Sequence, residues 1–492
     1  MTAADWAGVL LAFICTLGLG SLTVAPFRFR GSWIQSWASR YLVGQLMVFL
    51  LVLTTAFCPW SIAEMQIVVV ALLAVAWAVG SIRRRRLLGG RALAAGIMAV
   101  LVSAAAFPDV VLVTQKVPLW EWDARSIWFF HGKAIFLAGR IDSAFFANPL
   151  YAFTLPDYPL FIPAQAAWTA QFVGRWSDYS AKAFLIFNFA SYVYLLWRVL
   201  ERRETNRWLA LLFIAVLFDQ ETYSYVSGLA DNHYIIAAVI LLIALGSRAW
   251  PEEAAFLALM LVFVAGVKNE GKIYAGFLLA AGAAWWTFQA AKNAWGRRPP
   301  EESTPDTPPA ERYAETAKAC LLAVLLGVVP IVMWQLFCGQ HGIVNPVQIV
   351  QRLAHGAATS SSVTDRLPLV WSYVAEYCRF QRVDCVAGIL LLLVLLRMSI
   401  RSRTHLPMLS LGKHEAIVWA ALAVSGFAIV AAYLVTPLDC EFHLRTSAGR
   451  LLLLPRLLMY VLVFYAAEVL WSARTSTRAV RAGNEGPSRQ QA

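Results

Sequence analysis

The sequence has little charge: 14% of its 492 residues are Asp, Glu, Lys or Arg, whereas 60% are hydrophobic. This composition excludes an ordinary soluble domain, and it excludes disorder over most of the chain, because so apolar a chain cannot stay solvated. Cysteine is also scarce, and seven residues are too few for a disulfide scaffold. Cys378 and Cys385 could bridge, or either could reach Cys440, so the pairing stays open.

Three chemical signatures are missing from the sequence. It has no Cys/His spacing typical of a metal site, no glycine-rich phosphate loop after a strand and no convincing nucleophile elbow. Nucleotide-dependent chemistry is therefore not expected.

Apolar runs recur from one end of the chain to the other, and each is near the length that spans a bilayer, about 20 residues. They predict an all-α polytopic integral membrane protein with about 13 transmembrane helices, in a range of about 11–13. The predicted spans are residues 5–25, 41–58, 64–82, 91–113, 181–200, 207–219, 233–247, 253–267, 271–290, 319–338, 384–400, 416–435 and 451–471.

Basic residues indicate how the chain is oriented. The clusters Arg83–Arg86, Arg202–Arg207, Arg297–Arg298 and Arg401–Arg403 fall in connections on one side of the predicted membrane, which the positive-inside rule assigns to the cytoplasm. Much of the formal charge of +12 therefore reflects topology, and no nucleic-acid partner is expected.

The runs and loops divide the chain into five expected segments. They are N-terminal membrane helices with a cytoplasmic basic turn (1–90), a module with a large outward loop at 114–180 (91–290), a cytoplasmic proline-rich linker (291–318), C-terminal membrane helices with outward loops at 339–383 and 436–450 (319–472), and a disordered cytoplasmic tail (473–492).

Asp123 is the first candidate for chemistry in the large outward loop. It lies just beyond a predicted membrane helix, and Trp120, Trp122 and Trp128 suit the headgroup level around it. Apolar residues at helical spacing after Asp123 predict a short amphipathic helix along the interface. Because Asp123 opens this helix, its alternative role is a structural N-cap that accepts a backbone hydrogen bond.

A second acid, Asp157, lies between two prolines in Pro156-Asp-Tyr-Pro159, and the prolines predict a stiff turn. The turn is either a tight connection or a preorganised site. With two carboxylates on one outward loop, one can act as a general base while the other binds a metal or holds the acceptor. No cofactor is required by this pattern, and a divalent cation, Mg²⁺ or Mn²⁺, at Asp157 is the option left open.

Ionisable residues also occur where apolar runs break. Ser227-Gly-Leu-Ala-Asp-Asn-His233 and Gly266-Val-Lys-Asn-Glu-Gly-Lys272 place Asp231, Lys268 and Glu270 at the outer ends of short spans. Broken helices with such residues usually line a cavity, because unpaired charge in hydrocarbon is costly. Lys268 and Glu270 are equally compatible with a mutual structural pair.

The last outward turn carries His443, Arg445 and Arg450. Basic residues on the extracytoplasmic side run against the positive-inside rule, so we expect them to bind an anion. A guanidinium group can bind two phosphate oxygens at once. The alternative is an ion pair of Arg445 or Arg450 with Asp439 or Glu441.

Taken together, three of these motifs resemble the GT-C superfamily of polytopic glycosyltransferases, especially bacterial relatives of the protein O-mannosyltransferase and aminoarabinose transferase families. The motifs are Trp122-Asp-Ala-Arg-Ser-Ile-Trp128, Pro156-Asp-Tyr-Pro159 and Thr436-Pro-Leu-Asp-Cys-Glu-Phe-His-Leu-Arg-Thr-Ser447. The resemblance covers most of residues 91–470 and makes 91–290 the catalytic module. The family usually places its catalytic loop after the first membrane helix, whereas here the loop follows about the fourth.

The resemblance implies an inverting transfer of a sugar from a polyprenyl-phosphate-linked donor to an extracytoplasmic glycan, lipid or protein acceptor. Asp123 matches the catalytic base, and Asp157 is the second catalytic candidate. Localisation is expected in the bacterial inner (cytoplasmic) membrane, as a multi-pass protein among membrane lipids, with the active site facing the periplasm or cell exterior. The residues expected to bind substrate are Arg125, Lys133, Tyr158, Asp231, Lys268, Glu270, His443, Arg445 and Arg450.

Two other classes of membrane protein compete with the transferase. A transporter or flippase of lipid-linked sugars also has many helices with short, broken ones, but its site should lie near the bilayer midplane. A lipid-linked polysaccharide ligase or polymerase needs a basic outer pocket. The arginines that keep the ligase in consideration are Arg352, Arg366, Arg379 and Arg382.

Overall fold

The computed structural model describes residues 1–27, 33–82, 90–219, 227–245, 253–280, 287, 309–343, 363–380, 413–434 and 440–484. Helices account for all the regular secondary structure in these ranges, with no strand among them. The predicted all-α class is therefore confirmed for this part of the chain. The predicted span 384–400, the residue Cys385 and most of the proline-rich linker lie outside it.

The helices of the structure are numbered here in chain order. They are α1 (Ala3–Val24), α2 (Trp37–Thr54), α3 (Ile62–Ile82), α4 (Gly90–Ala106), α5 (Pro108–Lys116), α6 (Phe129–Ala138), α7 (Ser143–Phe146), α8 (Phe161–Val173), α9 (Asp178–Ala181), α10 (Phe184–Arg202), α11 (Arg207–Asp219), α12 (Asp231–Leu245), α13 (Ala254–Val267), α14 (269–280), α15 (Pro309–Ala323), α16 (Val329–Gln340), α17 (Val363–Phe380), α18 (Lys413–Leu434), α19 (Cys440–Leu451) and α20 (Leu453–Asn484). Shorter turns add 3₁₀ segments at Ala25–Phe27, Trp33–Gln35 and Pro149–Thr154 and π-helical turns at Ala124–Trp128 and Val324–Val328.

Six helices in the described ranges are long and apolar enough to cross a membrane, or seven if one bent pair counts as a single span. The bent pair is the predicted span 91–113, which breaks by 88° between α4 and α5 at the residue before Pro108. Four further apolar helices are shorter, at Arg207–Phe218, Asp231–Leu245, Ala254–Val267 and Ile417–Ala431. The membrane character is thus supported, and the count of about 13 spans stays a prediction.

The chain forms two compact units. The first comprises Met1–Val199 and Phe218–Gln348, and the second comprises Leu200–Leu217 and Ile349–Ala492. These boundaries differ from the five segments expected from the apolar runs, because residues 1–90 share a unit with the large loop.

The centre of the first unit is the packing of α1, α2 and α8. Gly20 and Gly44 let α1 and α2 approach so closely that a Cβ on either would overlap a carbonyl oxygen of the opposite helix. Helix α6 packs on α8, and α12 and α13 form an antiparallel hairpin whose second helix also contacts α2 and α8. The N-terminal helices are therefore an integral part of the unit that carries the large loop.

The large loop is more buried than its sequence predicts. Helix α6 was expected to lie along the interface, but Phe129, His131 and Ile135 are all buried against the rest of the unit. Every residue from Phe161 to Ala170 of α8 is buried as well. Helix α6 thus packs one face against the unit, while Lys133 and Leu137 stay exposed, and its predicted position along the interface stays a prediction.

The second unit packs α17, α18 and α19 around a small core that includes Val370, Ile429, Tyr433 and Leu444. Its last helix, α20, continues to Asn484. The segment after residue 472 was expected to be disordered, and this expectation is wrong for residues 473–484, which extend the preceding apolar helix.

The close approach of α1 and α2 gives a stability prediction. A Cβ at residue 20 would lie 1.7 Å from the Arg40 carbonyl oxygen, so Gly20→Ala must push the helices apart. We expect a loss of at least about 1–3 kcal/mol, measured as a lower midpoint of thermal unfolding in detergent. Gly426→Ala is the control, because a Cβ there meets nothing within 4 Å and alanine favours the helix. Equal melting temperatures for the two variants would contradict the tight contact.

Candidate functional site

In the first unit, Tyr158 lies within electrostatic reach of a cluster of ionisable residues. Burial raises the pKa of Tyr158 well above its usual range, and the negative charges of Glu270, Asp157, Asp123 and Asp231 raise it further. Because such effects weaken with distance, the four carboxylates lie near one phenol although they come from three separate segments of the chain. The phenol stays protonated over the physiological pH range and can donate a hydrogen bond.

Asp123 stands at the entrance to a π-helical turn, Ala124–Trp128. Its side chain makes no capping hydrogen bond, and the backbone N–H of Arg125 donates to the Glu121 carbonyl at 2.9 Å instead. The structural N-cap alternative is therefore wrong. π-helical turns inside helices occur frequently at functional sites.

Three tryptophans near Asp123 differ in exposure. Trp120 and Trp122 are about half exposed, whereas Trp128 is fully buried, with its ring centroid 5.5 Å from that of Tyr158. Their predicted position at the headgroup level stays a prediction. The π-helical turn thus begins next to Asp123 and ends at Trp128, whose ring lies beside that of Tyr158.

Asp157 occupies the stiff turn that its flanking prolines predict. The Tyr158 N–H donates to the Leu155 carbonyl at 3.0 Å, which closes a β-turn with Pro156 at its second position. The Nε1–H of Trp334 in α16 donates to the Asp157 carbonyl oxygen at 3.0 Å. The turn is therefore held both by its own backbone and by a helix almost 180 residues further along the chain.

A buried histidine supports the segment before this turn. The Thr154 hydroxyl donates to the Tyr151 carbonyl at 2.7 Å, so the 2.9 Å contact between His131 Nε2 and the Thr154 oxygen has the imidazole N–H as donor. Burial lowers the pKa of His131 to about 3, and the ring stays neutral at physiological pH. His131 was missed at the sequence level because nothing near it in the chain marks its partner.

A glycine brings the start of α12 beside the Asp123 segment. Gly228 has φ +94°, and a Cβ on it would lie 2.7 Å from the ring of Phe129 and 3.2 Å from the side chain of Ala124. Only glycine fits this close approach. Asp231, three residues later, is consequently near the π-helical turn.

Lys268 joins two carboxylates at the break between α13 and α14. Its ammonium lies 2.8 Å from Asp231 Oδ1 and 3.4 Å from Glu270 Oε1, and the side chains of Asp231 and Lys268 are 1% and 7% exposed. The predicted pair of Lys268 and Glu270 is present, with Asp231 as the nearer partner. Lys268 is thus engaged by carboxylates within the protein.

Lys272 was missed although it closes the motif that contains Lys268. Its ammonium donates to the neutral Oδ1 of Asn269 at 2.8 Å and lies within electrostatic reach of Asp157 and Glu270. Its spacing from Lys268 does not indicate it, because Lys268 is extended at the end of α13 whereas Lys272 lies in α14. Lys272 is the more accessible of the two ammonium groups.

The cluster has an excess of acid. Four carboxylates and two ammonium groups leave a formal charge of −2 around Tyr158. In the described ranges no group of three or more His, Cys, Asp or Glu side chains is arranged to hold a metal ion. A divalent cation at Asp157 therefore gains no support from the ligand geometry.

Other predicted binding residues lie apart from this cluster. Arg125 and Lys133 are exposed, and neither is among the charges that act on Tyr158. In the second unit, Arg445 donates to Glu441 at 2.5 Å and to the Tyr373 hydroxyl at 2.9 Å, which is the ion-pair alternative.

His443 and Arg450 also belong to the second unit. The Arg450 guanidinium donates to the Thr446 carbonyl at 3.4 Å, and the His443 ring packs edge-on against Tyr433. Their predicted contact with an anion stays a prediction.

Comparisons with protein families, curated proteins and solved structures returned no match for this chain. The resemblance to the GT-C superfamily therefore rests on the three sequence motifs alone.

The buried ion pair gives a second stability prediction. Lys268→Met should cost about 3–5 kcal/mol, because it leaves Asp231 as an uncompensated buried charge. Arg445→Met is the matched control: it removes an ion pair whose arginine side chain is 68% exposed, so its melting temperature should stay close to that of the unsubstituted protein. Thermal unfolding in detergent measures both losses.

The double variant Lys268→Met/Asp231→Asn tests whether the uncompensated charge of Asp231 causes the loss of stability. It should recover much of the stability lost in Lys268→Met, because the buried carboxylate has been neutralised. A double variant that is less stable than Lys268→Met would show that packing, and not the buried charge, dominates.

Proposed function

We propose that the protein is a membrane glycosyltransferase that transfers a sugar from a polyprenyl-phosphate-linked donor to an extracytoplasmic acceptor. The acceptor is a cell-envelope glycan, a lipid or a protein. The site is expected on the outer face of a bacterial cytoplasmic membrane, where no nucleotide sugar is needed. The observation that carries the proposal is the convergence of Asp123 and Asp157 with Asp231 and Glu270 around Tyr158.

In this mechanism Asp123 removes the proton from the acceptor hydroxyl as that oxygen attacks the anomeric carbon. The bond between that carbon and the donor phosphate oxygen breaks, and the lipid phosphate leaves. Displacement from the opposite face inverts the anomeric configuration. Asp123 suits the role because its carboxylate is not used as a helix cap.

Asp157 and Tyr158 would position the acceptor. The β-turn and the Trp334 hydrogen bond fix the backbone of Asp157, and a rigid support is what orientation of a reacting hydroxyl requires. Tyr158 carries a proton that it can donate to a sugar or acceptor oxygen.

The leaving phosphate needs cationic groups. Lys268 is engaged by Asp231 and Glu270, so it serves the site by holding those acids in place. Lys272, which is half-buried whereas Lys268 is buried, is the better candidate for the phosphate. Arg445, Arg450 and His443 belong to the second unit, and their proposed contact with an anion stays a proposal of its own.

A transporter or flippase of lipid-linked sugars is the second candidate, favoured by a buried chain of polar side chains. Gln165 donates to the Gln45 carbonyl at 2.8 Å, the Gln45 amide donates to Asn188 at 2.5 Å, and Asn188 donates to His233 at 3.4 Å. These hydrogen bonds connect α8, α2, α10 and α12 through buried residues. Polar groups inside a membrane often line a pathway.

The ligase or polymerase has less support. Arg366 is buried and donates to the Leu434 carbonyl at 3.3 Å, so it does not offer an open basic pocket. Arg352 and Arg382, and the side chain of Arg379, lie outside the described residues.

The general-base role is tested by Asp123→Asn. Purified variant protein should fold normally and lose about 10²–10⁴-fold in the rate of sugar transfer, because the amide cannot accept the proton. Asp109→Asn is the control, since Asp109 is an exposed acid on α5, before the large loop. Full transfer activity in Asp123→Asn would remove the proposed base.

A compartment experiment separates the enzyme from the transporter. Purified protein in detergent is incubated with radiolabelled polyprenyl-phosphate sugars and acceptor lipids. A covalent product should form without any sealed compartment, because the bond exchange needs only the site and its two substrates. Movement of label across vesicles with no new glycosidic bond would favour the transporter.

A further inference from the structure

A short segment beside the acidic turn carries large apolar side chains on its surface. Between α7 and Asp157 the chain forms the 3₁₀ segment Pro149–Thr154, in which Leu150 is 78% exposed and Phe153 is 54% exposed. The segment is too short to span a membrane and belongs to none of the candidate spans. The described part of the protein therefore does not cover these two side chains.

The depth of this segment follows from its contacts with α16. Phe146 packs edge-on against Trp334 with ring centroids 5.5 Å apart, and the Trp334 indole donates to the Asp157 carbonyl. Trp334 lies six residues before the end of the apolar span Ala317–Gln340, which is about 9 Å along the helix. The residues on both sides of Pro149–Thr154 are therefore level with the interior of a membrane-crossing helix.

The large loop also exposes an apolar side chain close to its contact with α3, a candidate membrane span. Leu137, at the end of α6, is 70% exposed, and the nearby Gly139 carbonyl accepts the N–H of Ile62 at 2.7 Å. Ile62 begins α3, a candidate span whose middle residues, such as Leu72, are exposed apolar side chains. A surface of this kind on α3 faces acyl chains.

We propose that Leu150 and Phe153 insert into the acyl-chain region of the bilayer, so that Pro149–Thr154 is a re-entrant membrane anchor for the Asp157 turn. The partner is the lipid of the leaflet on the site's side. The anchor holds the acidic turn below the bilayer surface, and the candidate site then opens sideways toward lipid as well as toward water. The inference does not depend on the proposed transferase activity.

The test measures the surroundings of single nitroxide labels in lipid nanodiscs. Leu150→Cys and Phe153→Cys are labelled in the full chain, and unsubstituted protein carried through the same labelling gives the background from native cysteines. Two controls bracket the result: Leu72→Cys on α3 for lipid, and Lys133→Cys at an exposed charged position for water. Oxygen and a water-soluble nickel complex serve as relaxation agents.

Labels at 150 and 153 should match the label at 72: relaxation by oxygen should exceed relaxation by the nickel complex several-fold. Behaviour like the label at 133, with the nickel complex dominant, would overturn the anchor. Both positions are exposed, so cysteine should not disturb folding, and size-exclusion profiles verify this. Agreement at one position with contradiction at the other would also overturn insertion of the whole segment.

Discussion

A lysine ammonium and an aspartate carboxylate meet 2.8 Å apart where two apolar helices of the first unit change direction. Asp231 begins α12 and Lys268 directly follows α13, so each charge lies at the helix end whose dipole favours it. Neither charge could remain in an apolar surrounding alone. The pair therefore fixes the two helix ends, and through Glu270 it also fixes the start of α14. The acids that face Tyr158 from this side depend on it.

The other half of the site depends on backbone contacts rather than charge. The Asp157 turn is fixed by the Trp334 indole, and the Asp123 segment is packed against Gly228. These contacts leave the carboxylates of Asp123 and Asp157 outside the bonds that hold the backbone. Rigid placement of the backbone is what a base and an orienting group require, because it fixes the positions of the reacting groups.

Much of this arrangement is predictable from local signals. Apolar runs indicate the helices, paired prolines indicate the Asp157 turn, and charges at the breaks indicate Asp231 and Lys268. The burial of Trp128 and α6 is not predictable in this way, because it depends on α8 lying behind them. The sequence around a residue in the middle of such a loop does not indicate which helix will pack against it.

The excess of acid around Tyr158 limits how a phosphate ester can enter the site. Coulomb repulsion from four carboxylates is stronger in a low dielectric than in water, so a dianionic group could not approach Asp123 unassisted. A diester has one charge fewer, and Lys272 lies on the same side as Glu270 and Asp157. If the Asp157 turn lies below the bilayer surface, a lipid phosphate at the headgroup level would stay above the acids while its sugar reached down to them. The depth of the Asp157 turn and the negative charge around Tyr158 then both favour a substrate whose phosphate stays at the headgroup level while its sugar reaches the carboxylates.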